Sequence, residues 1–216
     1  MHLRATMNEF LTRIYSGILF LGVFWGTFYF DINLFNLLIF VVLLVALYEF
    51  YNLVPLRGFK FFIASLIYPI LPFTFVFLLN TLEFRSILII YFIMTSAFDT
   101  SCYIFGKLLG KHKICPISPN KSWEGFIGGV ITLVFYLKIY FNHISTLGLF
   151  LFSFVFSFLA LTGDLFESWL KRRAGVKDSG KLLPGHGGVL DRFDTLTFTL
   201  PLVYLLRYYL ITKWKF

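Results

Sequence analysis

The sequence predicts an all-α fold, a polytopic integral membrane helical bundle of about seven transmembrane helices, from three observations. Of 216 residues, 58% are hydrophobic and 14% charged, whereas a soluble domain is charged at about a quarter of its positions; mean hydropathy is +0.81. The 30 Phe, 12 Tyr and 4 Trp are more aromatic surface than one core of this size has room to bury, so much of it must face lipid or neighbouring helices. The apolar residues also fall in runs approaching the roughly 20 residues that a span requires, with polar breaks between them.

Taken in order, Arg4 and Arg13 flank the start of an apolar run at 14–30 with no small-residue cleavage site behind it, which reads as a retained first span and not a signal peptide. After a very short turn at 31–33, residues 34–51 form the second span, apolar apart from Asn36 and Glu49. The polar break 52–60 holds Pro55, Arg57 and Gly58. Span three, 61–79, contains Pro69 and Pro72, which remove backbone donors and are expected to kink it. A turn at 80–85 leads to span four, from 86 to about 98, where Asp99 opens a polar stretch ending near Glu124. Span five is 125 to about 140 and span six about 147–161; a charged stretch, 164–194, precedes span seven, about 195–210.

With the N-terminus cytoplasmic, fourteen of the nineteen Lys and Arg lie on the inner side, the bias that cytoplasmic loops show. Both long polar stretches then fall on that face, so the active site is expected at the cytoplasmic membrane edge, the inner membrane in a bacterium. The net charge of +8 suits an anionic partner. Nucleic acid is the weakest choice, because the basic residues sit in short loops with no long basic helix and no reader motif. Cys102 and Cys115 have neither CxxC nor metal spacing and read as free thiols.

The first polar stretch runs Asp99, Tyr103, Gly106, Lys107, Gly110, Lys111, then Ser118, Pro119, Asn120, Lys121, Ser122, Trp123, Glu124, Gly125. Asp99, Tyr103 and Gly106 share one face if the helix continues past span four. Asp99 is either a functional carboxylate or an interfacial one neutralised by Lys107 or Arg192. The Ser-Pro-Asn-Lys-Ser run reads as a turn and a helix start; Ser122 suits an N-cap, and exposed backbone N–H groups beside Lys121 would seat a phosphate.

Along span six and beyond, Ser153, Ser157, Ala160, Asp164, Glu167, Ser168 and Lys171 recur every three or four residues, a polar or small stripe that should face protein. A carboxylate at the membrane edge, as at Asp164, is costly and invites a metal ion. Residues 171–181 hold five cations, Lys171, Arg172, Arg173, Lys177 and Lys181, against Asp178, which a lipid-facing basic loop would also explain. GxxxxGK within 175–181 is not a P-loop, since Leu182 follows where Ser or Thr must bind magnesium and no buried strand precedes it. Gly185, Gly187 and Gly188 permit close backbone approach to a ligand, and His186 is a phosphate contact, a proton carrier or a turn hydrogen bond. Asp191 and Asp194, three apart, are placed to join Asp164. Three carboxylates without a Cys or His cluster favour a hard ion such as Mg²⁺, and magnesium with Lys and Arg is apparatus for handling phosphates.

The 27 residues from Ser168-Trp-Leu-Lys-Arg through Lys177-Asp178-Ser-Gly180 and Leu183-Pro184-Gly-His186-Gly-Gly-Val-Leu-Asp191-Arg192-Phe-Asp194 resemble the signature of CDP-diacylglycerol synthases, also called phosphatidate cytidylyltransferases. Asp99 to Lys111 and Ser118 to Gly125 are also similar to that family, so the resemblance covers roughly the C-terminal half; Ser101 and Cys102 stand where Gly and Ala are expected. It divides a single membrane domain, 1–216, into N-terminal apolar spans, 1–85, and a catalytic half, 86–216. It implies Mg²⁺-dependent reaction of CTP with phosphatidate in a lipid bilayer to give CDP-diacylglycerol and pyrophosphate. Asp164, Asp191 and Asp194 would be metal and catalytic residues, with Lys171 and Arg172 also catalytic. Asp99, Tyr103, Lys107, Ser118, Lys121, Glu124, Ser168, Lys177, His186, Gly187, Gly188 and Arg192 would bind substrate. The rivals are a CTP-dependent lipid kinase, a cytidylyltransferase for another lipid phosphate, a structural scaffold, and a transporter; a transporter places ionisable residues near the bilayer midplane, whereas here they gather at one face. Small-residue seams also suit a homodimer.

Overall fold

A computed structural model describes residues 2–180, 182 and 187–213, and of residues 2–14, 211 and 213 the backbone alone. The helices are α1 (His2–Phe30), α2 (Ile32–Leu53), α3 (Gly58–Ser65), α4 (Leu71–Leu79), α5 (Arg85–Leu109), α6 (Trp123–Tyr140), α7 (Thr146–Arg173), α8 (Leu190–Phe193) and α9 (Leu196–Lys213). The described residues contain no strand, only an isolated antiparallel bridge between Lys113 and Ser122. The chain divides into two compact units, Met1–Asn80 with Leu170–Phe193, and Thr81–Trp169 with Asp194–Phe216.

In the first unit, Asp31 ends α1 and caps α2, its carboxylate accepting from the backbone N–H of Asn33 at 2.7 Å and Leu34 at 2.9 Å. The short turn expected at 31–33 is therefore a single capping residue. Phe24 and Phe28 meet Phe35 edge-on, with ring centroids 5.2 and 4.9 Å apart, the arrangement that aromatic quadrupoles favour. Asn36, isolated in an apolar helix, receives a hydrogen bond from the buried Asn80 side chain at 2.9 Å, which ties α2 to the end of α4.

The expected kink in span three is a full break. A π turn, Leu66–Ile70, separates α3 from α4, and Tyr68 sits at φ −148°, ψ 114°, before a cis peptide to Pro69. Proline has no N–H to continue the ladder and excludes helical geometry from the residue before it. Phe73 on α4 then packs on Phe193 of α8, ring centroids 5.2 Å apart, so α4 backs the C-terminal end of the loop that follows α7.

In the second unit, α5 continues eleven residues beyond the expected end of span four at about 98, to Leu109. Asp99, Tyr103 and Gly106 therefore lie on one helix. Three glycines let α6 settle on α5: a Cβ at Gly125 would lie 2.7 Å from the Cys102 carbonyl oxygen, one at Gly129 would lie 2.7 Å from the Cys102 sulfur, and one at Gly128 would enter the Phe105 ring. Tyr91 and Thr199 share a buried 2.7 Å hydrogen bond joining α5 to α9. The small stripe of α7 is buried at Ser153, Ser157 and Ala160, and Glu167 is fully buried with it.

Among the described residues, five stretches are long and apolar enough to cross a membrane: α2, Gly58–Leu79, α5, α6 and α7. The apolar part of α1, Tyr15–Phe30, is shorter, and α9 is diluted by Thr197, Thr199, Pro201 and Arg207. The seven expected spans are thus present as seven apolar helical stretches, of which five satisfy span length and composition.

Because the neighbour of Gly125 is backbone and cannot swing aside, Gly125→Val should lower Tm in detergent by several degrees, an overpacking cost of about 1–3 kcal/mol. Gly22→Ala, with nothing within 4 Å of the added carbon, should leave Tm within about a degree.

Candidate functional site

Among the described residues, each unit brings charged and polar groups together. In the second unit, α7 carries Gly163, Asp164 and Glu167 on successive turns, and the lack of a side chain at Gly163 is what admits Asp194. A Cβ there would lie 2.5 Å from the Asp194 carbonyl oxygen. Asp194 starts the turn into α9, its carboxylate accepting from the Thr195 N–H at 2.7 Å. Its carboxylate lies close enough to those of Asp164 and Glu167 for their charges to act on it. Asp164 in turn forms an ion pair with Lys121. Burial, then the charge of Asp164, then that of Glu167, push the Asp194 carboxyl well above the usual carboxylate range, because clustered acids cannot all ionise without a compensating cation.

Lys121 is brought to α7 by the loop between α5 and α6. That segment doubles back: the Ile114 N–H donates to the Lys121 carbonyl at 3.0 Å and the Trp123 N–H to the His112 carbonyl at 2.9 Å. Turns closed by Ser118 N–H to the Cys115 carbonyl and Lys121 N–H to the Ser118 carbonyl shape the Ser-Pro-Asn-Lys run. Ser122 caps α6 through Gly125, as the spacing predicts. Glu124 is held by His112, with Nδ1 at 2.6 Å and the backbone N–H at 3.2 Å from Oε1.

In the first unit, Lys171 Nζ lies 2.6 Å from Asp191 Oδ1. Asp191 Oδ2 accepts from the N–H groups of Ser179 at 3.0 Å and Gly188 at 2.8 Å. Gly187, with φ +83°, makes the turn that brings the chain back over this carboxylate, where a Cβ would stand 2.7 Å from Oδ2. Glu49 of α2 closes the other side of the loop. It is 3% exposed and accepts from Val189 N–H at 3.0 Å, Leu190 N–H at 2.9 Å and the Ser179 hydroxyl at 3.2 Å.

Asp164 and Asp194, named from sequence as metal and catalytic candidates, thus meet in one unit together with Lys121. Asp191 stands in the other unit, engaged by Lys171 and two backbone donors. Asp99, exposed on α5, and Asp164 both exert their charge on Cys102. Tyr103 is exposed, with Lys107 above its ring at 5.8 Å. Ser118 and Ser168 are half-buried, and Arg172, Lys177 and Arg192 are exposed. The Arg172 guanidinium donates to the Val176 carbonyl at 3.0 Å, holding the turn after α7. His186 lies outside the described residues. Glu167 and Glu49 were passed over as site residues: the stripe on α7 already included Glu167, and Glu49 is one of two polar residues in its span.

Among the described residues, no three His, Cys, Asp or Glu side chains are arranged to hold a metal ion by themselves. Two carboxylates suffice for Mg²⁺, which keeps several waters and takes its remaining ligands from substrate phosphates. The carboxylate oxygens of Asp164 and Asp194 are donors of the kind such an ion takes.

Residues 54–210 match the cytidylyltransferase family. Proteins named phosphatidate cytidylyltransferase are 51% identical over 114 residues in Staphylococcus saprophyticus and in Staphylococcus haemolyticus, in each case 50% of this chain and 44% of the relative. The one from Staphylococcus aureus strain COL is 47% identical over 116 residues, with the same coverage. The chain therefore spans less than half the length of these relatives.

An acid whose folded pKa is raised adds stability below its unfolded pKa of about 3.9 and withdraws it as pH rises through the folded value. At neutral pH, without metal, Asp194 is thus a net cost. Asp194→Asn should raise Tm at pH 7.5 in chelator, and the gain should shrink at pH 4. An unchanged or lowered Tm at pH 7.5 counts against the crowding described.

Proposed function

We propose, on the premise that this chain belongs to the cytidylyltransferase family, that it transfers the cytidylyl group of CTP to phosphatidate, giving CDP-diacylglycerol and pyrophosphate for phospholipid synthesis. The observation that carries this reading beyond the family is the meeting of Asp164, Glu167 and Asp194 with Lys121, an assembly of acids that a cation bound to nucleotide phosphates would complete. The names of the relatives supply the lipid substrate.

In this reaction a phosphate oxygen of phosphatidate attacks the α-phosphorus of CTP, that bond forms as the bond to the β-phosphate bridging oxygen breaks, and pyrophosphate leaves. No general base is required, because a phosphomonoester carries about −1.5 to −2 charge at pH 7. The task is to hold two anions together and stabilise the charge of the transition state. Asp164 and Asp194, with Glu167 behind them, would hold Mg²⁺, which when bound neutralises phosphate charge. Lys121 keeps Asp164 oriented and offers a donor to a phosphate oxygen. Within the first unit, Lys171 is paired with Asp191, and Lys177 and Arg192 are exposed cations suited to a phosphate. Asp191 serves as the partner of Lys171 in this scheme and not as a metal ligand.

Both polar stretches face the cytoplasm in this reading, where CTP is found, with the N-terminus on the same side. Single cysteines at Lys113 and Lys177, in a chain whose native thiols are replaced by Ser, should resist a membrane-impermeant maleimide in intact cells and label after lysis; labelling in intact cells reverses the orientation.

Purified protein with labelled CTP, phosphatidate and Mg²⁺ should yield a CDP-lipid and pyrophosphate in equal amounts. A lipid kinase would release CDP and no pyrophosphate. Asp164→Asn should lower kcat by about 10²–10³-fold, the scale of losing one preorganised charge-stabilising group, and chelation should abolish turnover. A wild type that makes no CDP-lipid, or an Asp164→Asn variant with full activity, refutes the assignment.

A further inference from the structure

Glu49 lies in the apolar helix α2, far in sequence from both polar stretches, and the phosphate chemistry proposed above does not use it. Ionisable groups on membrane helices are costly and rarely without work. Its surroundings show what it does. The two carboxylate oxygens accept three hydrogen bonds from the segment after α7: Oε1 from Val189 N–H, and Oε2 from Leu190 N–H and the Ser179 hydroxyl. Ser179 also donates its backbone N–H to Asp191, so this one residue is held between two acids, one from α2 and one from the loop itself. Asp191 in turn holds Lys171.

The fit is tight as well as polar. A Cβ at Gly180 would run into Glu49 Oε1, and one at Gly188 would come within 2.6 Å of Glu49 Oε2. Both positions need glycine so that the loop can close on the carboxylate. Val189 and Leu190 are themselves buried, so their N–H groups have no water to fall back on, and an unmet buried donor is expensive.

We infer that Glu49 is a positioning residue: from α2 it fixes Ser179, Val189 and Leu190, and through Ser179 and Asp191 the Lys171 ammonium group, in the arrangement that engages a substrate phosphate. This rests on the proposed reaction. The phosphate belongs to CTP or to phosphatidate, and the kinetics name which.

Two measurements on the full chain in detergent separate the clamp from its use. Amide hydrogen exchange at Val189 and Leu190 reads the clamp: both should be protected in wild type and exchange at least 30-fold faster in Glu49→Ala. Turnover of CTP and phosphatidate reads the use: kcat/KM in Glu49→Ala should fall about 10²-fold, as misplacement of about 1 Å does. The KM of one substrate, the one whose phosphate the loop holds, should rise at least tenfold while the other stays within twofold. Glu49→Gln, which keeps the volume and one acceptor oxygen, should recover at least a tenfold share of the loss.

Several results overturn the inference. One is exchange at wild-type rates in Glu49→Ala. Another is faster exchange with kcat/KM within twofold of wild type. A third is a loss wholly in apparent kcat that tracks the folded fraction, with both KM values unchanged and no recovery in Glu49→Gln, which is the behaviour of a merely structural residue. A wild type without CDP-lipid synthesis brings down the proposed reaction and the positioning role with it, whereas an active wild type with an active Glu49→Ala brings down the positioning role alone.

Discussion

A carboxylate on an apolar helix must be met by donors or by cations, because lipid and packed aromatic side chains offer neither. That requirement organises both polar clusters of this protein. In the first unit, Glu49 and Asp191 are met mostly by backbone N–H groups and by Lys171. In the second unit, Asp164, Glu167 and Asp194 are met by Lys121 and by each other. The difference matters chemically. Acids satisfied by fixed amides are finished structures that hold a loop in place, whereas acids satisfied partly by one another take up a proton or a cation and are suited to an ion that comes and goes with a substrate.

Glycine makes each arrangement sterically feasible. Gly163 lets the backbone of Asp194 lie against α7, Gly180 and Gly188 let the loop close on Glu49, and the glycines of α6 let that helix lie on α5, which sets the root of the loop that delivers Lys121. In each case the atom that would collide with a Cβ includes backbone, a carboxylate or an aromatic ring packed behind it. Close helix approach through small residues is also the usual means of association where no hydrophobic drive exists between helices.

Much of the fold was legible because apolar length and polar breaks are local properties. The cap at Ser122, the interruption at Pro69 and the buried stripe on α7 follow from spacing and backbone chemistry, whereas the polar composition after residue 98 hides the continuation of α5 through Asp99, Tyr103 and Gly106. The stripe even contained Glu167, though nothing in its position distinguished it from a packing residue until Asp194 was found beside it. Glu49 was less legible: one acid in a run of Leu, Val and Phe reads as an interfacial exception, and its partners lie 130 to 141 residues away.

The sequence by itself determined that the chain is built of apolar helices, that its chemistry is confined to two polar stretches, and that the residue types there suit phosphates and a hard cation. Tertiary structure decided which carboxylates share a cluster. Asp191 and Asp194, three residues apart and indistinguishable by type, take different partners: Asp191 lies under the turn at Gly187 with Lys171 and backbone amides in reach, and Asp194 begins the approach to α9 against the bare surface of Gly163. Spacing along a chain states which side chains are able to share a face; only the path of the backbone, through turns and glycine contacts, states which ones do.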